Sequence, residues 1–220
     1  MVSVLTSLYT KTINWVSNRE INHISLYSKT NWQFKKLKTM ACNLSAGRNE
    51  PCKESVGGLT GVYFLNYTSA SFSTNANGEI SAYPSGSTVY YYDLKGNSSY
   101  TETVNSSRDN GTTFFSQELT LNLKKLTNEM TTQLKLMAYG RPIIAVTTLA
   151  GDTLLVGKTQ GADVTAGTIQ TGAALGDLYG YSVVFTGLEQ LPAGFISGST
   201  AISPFGKLTV QPTIVSGSAA

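Results

Sequence analysis

Residues 113–157 constrain the fold more than any other stretch, because the apolar period changes twice within them. From Leu119 to Leu123 leucines alternate with Thr120 and Asn122, which places three leucines on one face of a half-buried strand. Leu123, Leu126, Met130, Leu134 and Met137 then recur every three or four residues, the apolar stripe of a helix. Thr127 or Asn128 suits its N-cap. Gly140 suits a left-handed residue after its end, and Pro142 forbids continuation. Ile143 to Leu149 is a β-branched run, Ala150-Gly151-Asp152 a turn, and Thr153 to Val156 returns. The order strand, helix, strand, turn, strand predicts one helix laid on a sheet.

Short strands punctuated by turn residues surround this unit. Leu59 to Tyr67 reads as a strand, and Asn77-Gly78 as a hairpin turn between Ala70–Thr74 and Glu79–Tyr83. Val89 to Leu94 contains Tyr90, Tyr91 and Tyr92; as a strand it sends the outer two to one face and the middle one to the other. Ser98–Asn105 follows, with Tyr100, Glu102 and Val104 on one face, and Asp109-Asn110-Gly111 ends it. Asp163–Thr171 and Tyr179–Gly187 are further strands. The expected core is Val62, Phe64, Leu119, Leu121, Leu126, Met130, Leu134, Ile144, Val146, Leu155, Val183 and Phe185. The fold class is mainly β: a β-sandwich or partial barrel with one flanking α-helix.

The chain divides by composition into 1–39, 40–193 and 194–220. The first part holds six basic residues against Glu20 alone, and the remainder ten basic against twelve acidic. Met40-Ala41 reads as a fresh start, making 1–39 an extension outside the core; the competing reading is a basic arm that orders on assembly. After Gly194 the chain is rich in Gly, Ser and Thr, the composition of a mobile tail or a partner-binding arm. A slightly acidic body is a poor grip for nucleic acid, whose affinity needs clustered Lys and Arg. No apolar run is long enough to span a bilayer, and the start lacks a basic region followed by an apolar one, so the reading is a protein folded in a reducing cytoplasm.

Chemistry-bearing motifs fail on geometry. Gly157-Lys158-Thr159 ends like a phosphate-binding loop, but Asp152 stands where the first glycine is needed and a strand fills the interval. Asp152, Asp163 and Asp177 lie too far apart for a calcium loop and each suits a turn. His23 is the only histidine, so 40–220 holds no Ser-His-Asp or Cys-His arrangement. Cys42 and Cys52 permit one disulfide that a chain of this size does not require. The expectation is therefore no catalytic residue, no cofactor and no metal. Tyr90, Tyr91, Tyr92 and Tyr100 are the candidates for packing at a sheet edge or a subunit contact.

The segment GDLYGYSVVFTGLEQLPA (176–193), following the unit of 113–157, resembles the C-terminal half of phage tail tube proteins. ACNLSAGRNEPCKESVGGLTGVYF (41–64) is similar to the start of virion proteins in phages of Bacteroidota. The resemblance implies hexameric rings whose sheets join into a barrel and stack as a virion tail. It implies assembly in the host bacterial cytoplasm, with tape measure and tail terminator as partners, DNA as passing cargo and no membrane. Glu102 and Asp109 are then candidate lumen-facing acids. The alternative is a binding module, a fibre or adhesin domain that recognises a surface polymer through its tyrosines.

Overall fold

The computed structural model describes Leu44 and residues 46–50, 52–53, 55–69 and 71–217. The chain divides into two compact units, Met1–Pro51 and Cys52–Ala220. The described residues of the first are exposed and form no helix or strand. The expectations for 1–39 and Cys42 lie outside the described residues.

The second unit is a sandwich with one helix, and its sheets do not close into a barrel. Its elements are β1 (Leu59–Leu65), β2 (Ser73–Thr74), β3 (Ile80–Ala82), β4 (Thr88–Asp93), β5 (Ser99–Ser107), β6 (Thr112–Lys124), α1 (Asn128–Tyr139), β7 (Ile143–Thr148), β8 (Thr153–Val156), β9 (Asp163–Gln170), β10 (Gly180–Glu189), β11 (Gly194–Phe195) and β12 (Thr213–Ser216). A six-stranded sheet runs β11-β8-β7-β1-β4-β12, a four-stranded sheet β5-β6-β10-β9, and β2 pairs with β3 around the Asn77-Gly78 turn.

The two larger sheets pack face to face. Val62, Phe64, Ile144, Val146 and Val156 of one meet Leu119, Leu121, Tyr181, Val183 and Phe185 of the other. Alternation along β6 and β10 produces this directly. The opposite face of the six-stranded sheet is buried too. Tyr63, Leu65, Val89, Ala145 and Leu155 pack there against Phe72, Ile80 and Tyr83 and against Ile196, Phe205 and Leu208 from the C-terminal segment. Burial on both faces explains why β1 and β7 are nearly continuous apolar runs rather than alternating ones.

Residues 194–217, expected as a mobile tail or a partner-binding arm, pack on the six-stranded sheet. β11 pairs antiparallel with β8, and β12 pairs in parallel with β4. Between them Thr209 N–H donates to Ser81 O and Tyr83 N–H to Val210 O. The segment forms a third layer held by buried apolar side chains, which a polar average composition conceals.

Helix α1 starts as expected, with Thr127 Oγ1 accepting from Met130 N. The fully buried Tyr181 fixes that end: its hydroxyl donates to Thr127 O, accepts from Thr127 N and meets Thr131 Oγ1 at 2.8 Å. Leu126, Met130, Leu134 and Met137 face the core but are only half-buried, and no residue of α1 is buried. They border the core rather than fill it, because the helix rests on the rim of the sandwich. Gly140 is also not left-handed: its φ is −95° and ψ 176°. The chain turns extended at once into β7, while Gly140 N still bonds Leu136 O.

Candidate functional site

Among the described residues the four-stranded sheet ends in two strands that have one neighbour each: β5 pairs only with β6, and β9 only with β10. β5 is nine residues long, carries a single charge, Glu102, and has no proline. β9 is eight residues long and largely exposed. Unpaired N–H and C=O groups along such strands are a template for another strand. The edges of the six-stranded sheet differ: β11 has two residues and β12 four.

Every step across the four-stranded sheet is antiparallel. Three such steps make β5 and β9 antiparallel to each other. When β9 of one copy meets β5 of the next head to tail, the ladder stays antiparallel with no reversal. The outward face carries Thr101, Thr103, Glu118, Thr120, Thr168 and Thr186, all out of phase with the core leucines, with Thr101, Glu118 and Thr186 directly opposite one another.

The tyrosines of β4 are not at an open edge, since β12 lies alongside them with Val215 opposite Tyr90. Tyr92 packs edge-on against Phe64 with ring centroids 5.1 Å apart, and Tyr91 packs on Tyr63 at 4.9 Å. A Cβ at Gly61 would meet the Tyr91 ring at 2.6 Å, so that glycine makes room for it. Burial, and then the Asp93 carboxylate, raises the Tyr91 pKa. Burial raises that of Tyr92, with Glu129 and Tyr90 adding to it. Tyr90 is 39% exposed and offers the larger free surface. Tyr100, on the core side of β5, has a hydroxyl shut off from solvent beside the Glu102 side chain. Burial, and then the neighbouring Glu102, pushes its pKa up. Tyr91, Tyr92 and Tyr100 are partly buried against the body, with the Tyr91 hydroxyl exposed beside Asp93.

Glu102 and Asp109 have unlike surroundings. Asp109 is exposed in the turn joining β5 to β6. Glu102 is half-buried on the core side, where its Oε1 accepts from Gln117 Nε2 at 3.1 Å and from Ala193 N at 3.0 Å. The Glu102 carboxylate is thus engaged within the body through Oε1. Gln117 is itself buried, and its Oε1 accepts from Gly157 N at 2.9 Å. Beyond it, buried Glu189 accepts from Thr159 N at 2.7 Å and Gln160 N at 2.8 Å. The amides of Thr159 and Gln160, at the end of Gly157-Lys158-Thr159, do hold a carboxylate, but it is the chain's own Glu189. Gly157 closes this loop at φ +66°, where a Cβ would meet Gly161 C at 2.6 Å. Sequence reasoning missed this network. Its one signal was Gln117, a polar residue in phase with Leu119, Leu121 and Leu123.

An open cavity of 370 Å³ lies where the start of β1 meets the turns after β4 and β7, lined by Gly58, Leu59, Asp93, Leu94, Asn97 and Leu149 among others. Thr60 and Ser98 also line it, and their polar groups and that of Asp93 offer hydrogen bonds. Among the described residues no three His, Cys, Asp or Glu side chains converge as metal ligands. Comparison with protein-family models, with curated proteins and with solved structures finds no match.

Proposed function

We propose that this protein is a structural subunit that joins copies of itself edge to edge through the four-stranded sheet, in sixfold rings that stack into a virion tail tube. The observation that carries this reading is the pair of long, open and mutually antiparallel edges, β5 and β9. Such a pair is heterologous: each copy offers one edge and receives the other, so association continues until a ring closes. The sixfold symmetry and the tube come from the resemblance of 41–64 and 176–193 to tail proteins. On this reading the threonine-rich face lines the lumen, and hydroxyls without clustered cations let DNA pass without gripping it. The tape measure and tail terminator are then its partners, and the tail, assembled in the host cytoplasm, its final place.

The test uses the full chain in mass photometry and negative-stain microscopy across a concentration series, beside a Thr103→Lys variant. Lysine on the outward face of an edge strand opposes pairing and leaves the isolated body intact. Wild-type protein forms rings or tubes as concentration rises, and Thr103→Lys stays monomeric with an unchanged thermal midpoint. Equal assembly by both places the contact away from β5. A wild-type chain that remains monomeric and binds bacterial surface glycans overturns the tube in favour of the fibre or adhesin module.

A further inference from the structure

The chain contains two Asn-Gly pairs, Asn77-Gly78 and Asn110-Gly111, both in exposed turns. Asparagine before glycine is the sequence most open to spontaneous loss of its amide, because no side chain shields the following nitrogen. In that reaction the glycine nitrogen gives up its proton and attacks the asparagine Cγ. A C–N bond forms, the side-chain amide leaves as ammonia, and a five-membered succinimide remains. Water then opens either of two carbonyls, giving aspartate or isoaspartate. The net change is water consumed and ammonia released, with no oxidant or second reactant. What a fold adds is control over the attacking nitrogen, which must come free and swing toward Cγ.

The two turns differ in that control. Gly78 N–H donates to Asn75 O at 3.1 Å, and Asn75 N–H to Glu79 O at 2.9 Å. The Asn75 side chain braces the same turn: its Oδ1 accepts from Asn77 N at 2.9 Å and Glu79 N at 3.0 Å, and its Nδ2 donates to Glu79 Oε2 at 2.7 Å. Asn75 Nδ2 also reaches Ser197 Oγ in the C-terminal layer. At the other turn Gly111 N–H donates to Arg108 O at 3.3 Å, and Asn110 N–H to Ser107 Oγ at 3.3 Å. Both bonds are longer than the usual N–H···O range. β5 and β6 pair from Ser107↔Thr112 inward, so the Arg108–Gly111 tip has the Ser107 Oγ bond as its side-chain brace, where Asn75 supplies three.

We infer that Asn110 is the chain's deamidation site, converting through a succinimide with Gly111 to aspartate and isoaspartate, while the braced Asn77 is protected. The product adds a carboxylate next to Asp109 at the tip joining β5 to β6. Isoaspartate also inserts one extra atom into the main chain there. The chemistry needs no partner copy.

The full-length protein, held dilute in mildly alkaline buffer, is sampled over time and digested. Tandem mass spectrometry follows both sites, with isoaspartate distinguished by its backbone fragments. Asn110 converts several-fold faster than Asn77 in the folded chain. The same measurement in concentrated urea, where both turns are lost, brings the two rates close together. Asn110→Gln, which would close a less favoured six-membered ring, abolishes the early product. Equal rates in the folded chain, a faster Asn77, or a preference for Asn110 that survives unchanged in urea each overturn the assignment.

Discussion

Phe205 decides whether the C-terminal segment is part of the body or an appendage. Its side chain is 3% exposed. It stands edge-on to Tyr63 at 4.9 Å and 80°, and edge-on to Tyr83 at 5.3 Å and 79°. Truncating a buried Phe to Ala costs about 3–5 kcal/mol, from lost transfer free energy and the cavity left behind. Edge-to-face pairs contribute about 0.5–1.5 kcal/mol beyond burial. They are part of what truncation removes here, so the upper half of the range applies. Domains of this kind have total stabilities of about 5–15 kcal/mol, so Phe205→Ala removes a large share. The assay is urea unfolding followed by far-UV circular dichroism, with the slope held as a check that the unfolded state has not changed. Ile202→Ala is the internal control: it lies in the same segment, is 98% exposed, and shifts stability by less than about 0.5 kcal/mol. A Phe205→Ala protein as stable as the control would refute the third layer and restore the mobile tail.

Tyr181→Phe removes the hydroxyl that serves Thr127 N, Thr127 O and Thr131 Oγ1, and leaves the Thr127 amide without its partner. It costs about 1–3 kcal/mol, and α1 amides exchange faster with solvent; unchanged exchange across α1 means the hydroxyl does not fix the helix. Burial, and then Tyr91, raises the Tyr63 pKa from 10.0 to about 12, and burial raises Tyr83 further. A folded pKa above the unfolded one gives stability that is whole below pH 10 and is lost as pH rises through 12. Tyrosinate absorbance in that window therefore rises together with loss of the β circular dichroism signal; ionisation of every tyrosine near pH 10 with the fold intact argues against it.

The unit from β6 to β8 was legible because each element carries its own period, and Thr127 sits at the change. The half-burial of Met130 was not, since a helical stripe fixes which face turns inward but not how much of the sandwich lies over it. The C-terminal layer was hidden for a related reason. Ile196, Phe205 and Leu208 are buried singly among Gly, Ser and Thr, at spacings that match neither a strand nor a helix. Their partners, Tyr63, Tyr83 and Leu155, lie far back in sequence. The polar network was hidden because its acceptors bind backbone amides, which leave no mark in composition. Glu102 shows the cost of that: its parity on β5 was read correctly, but not the Ala193 amide waiting for it.

Among the described residues the two sheets end differently. The six-stranded sheet ends in two- and four-residue strands supplied by the chain's own C-terminal segment. Among the described residues the four-stranded sheet receives no such cover. A monomer under pressure to stay soluble blunts a long edge with lysine, proline, a bulge or an inward charge. β5 has only the last of these, and Glu102 is held by Gln117 and Ala193, so strand pairing at β5 leaves its carboxylate satisfied. β9 has a register shift opposite Val184/Phe185, near its start, and runs regularly from Ala166 to Gln170. Among the described residues, one sheet is flanked by short strands of the chain's own C-terminal segment, and the other ends in β5 and β9.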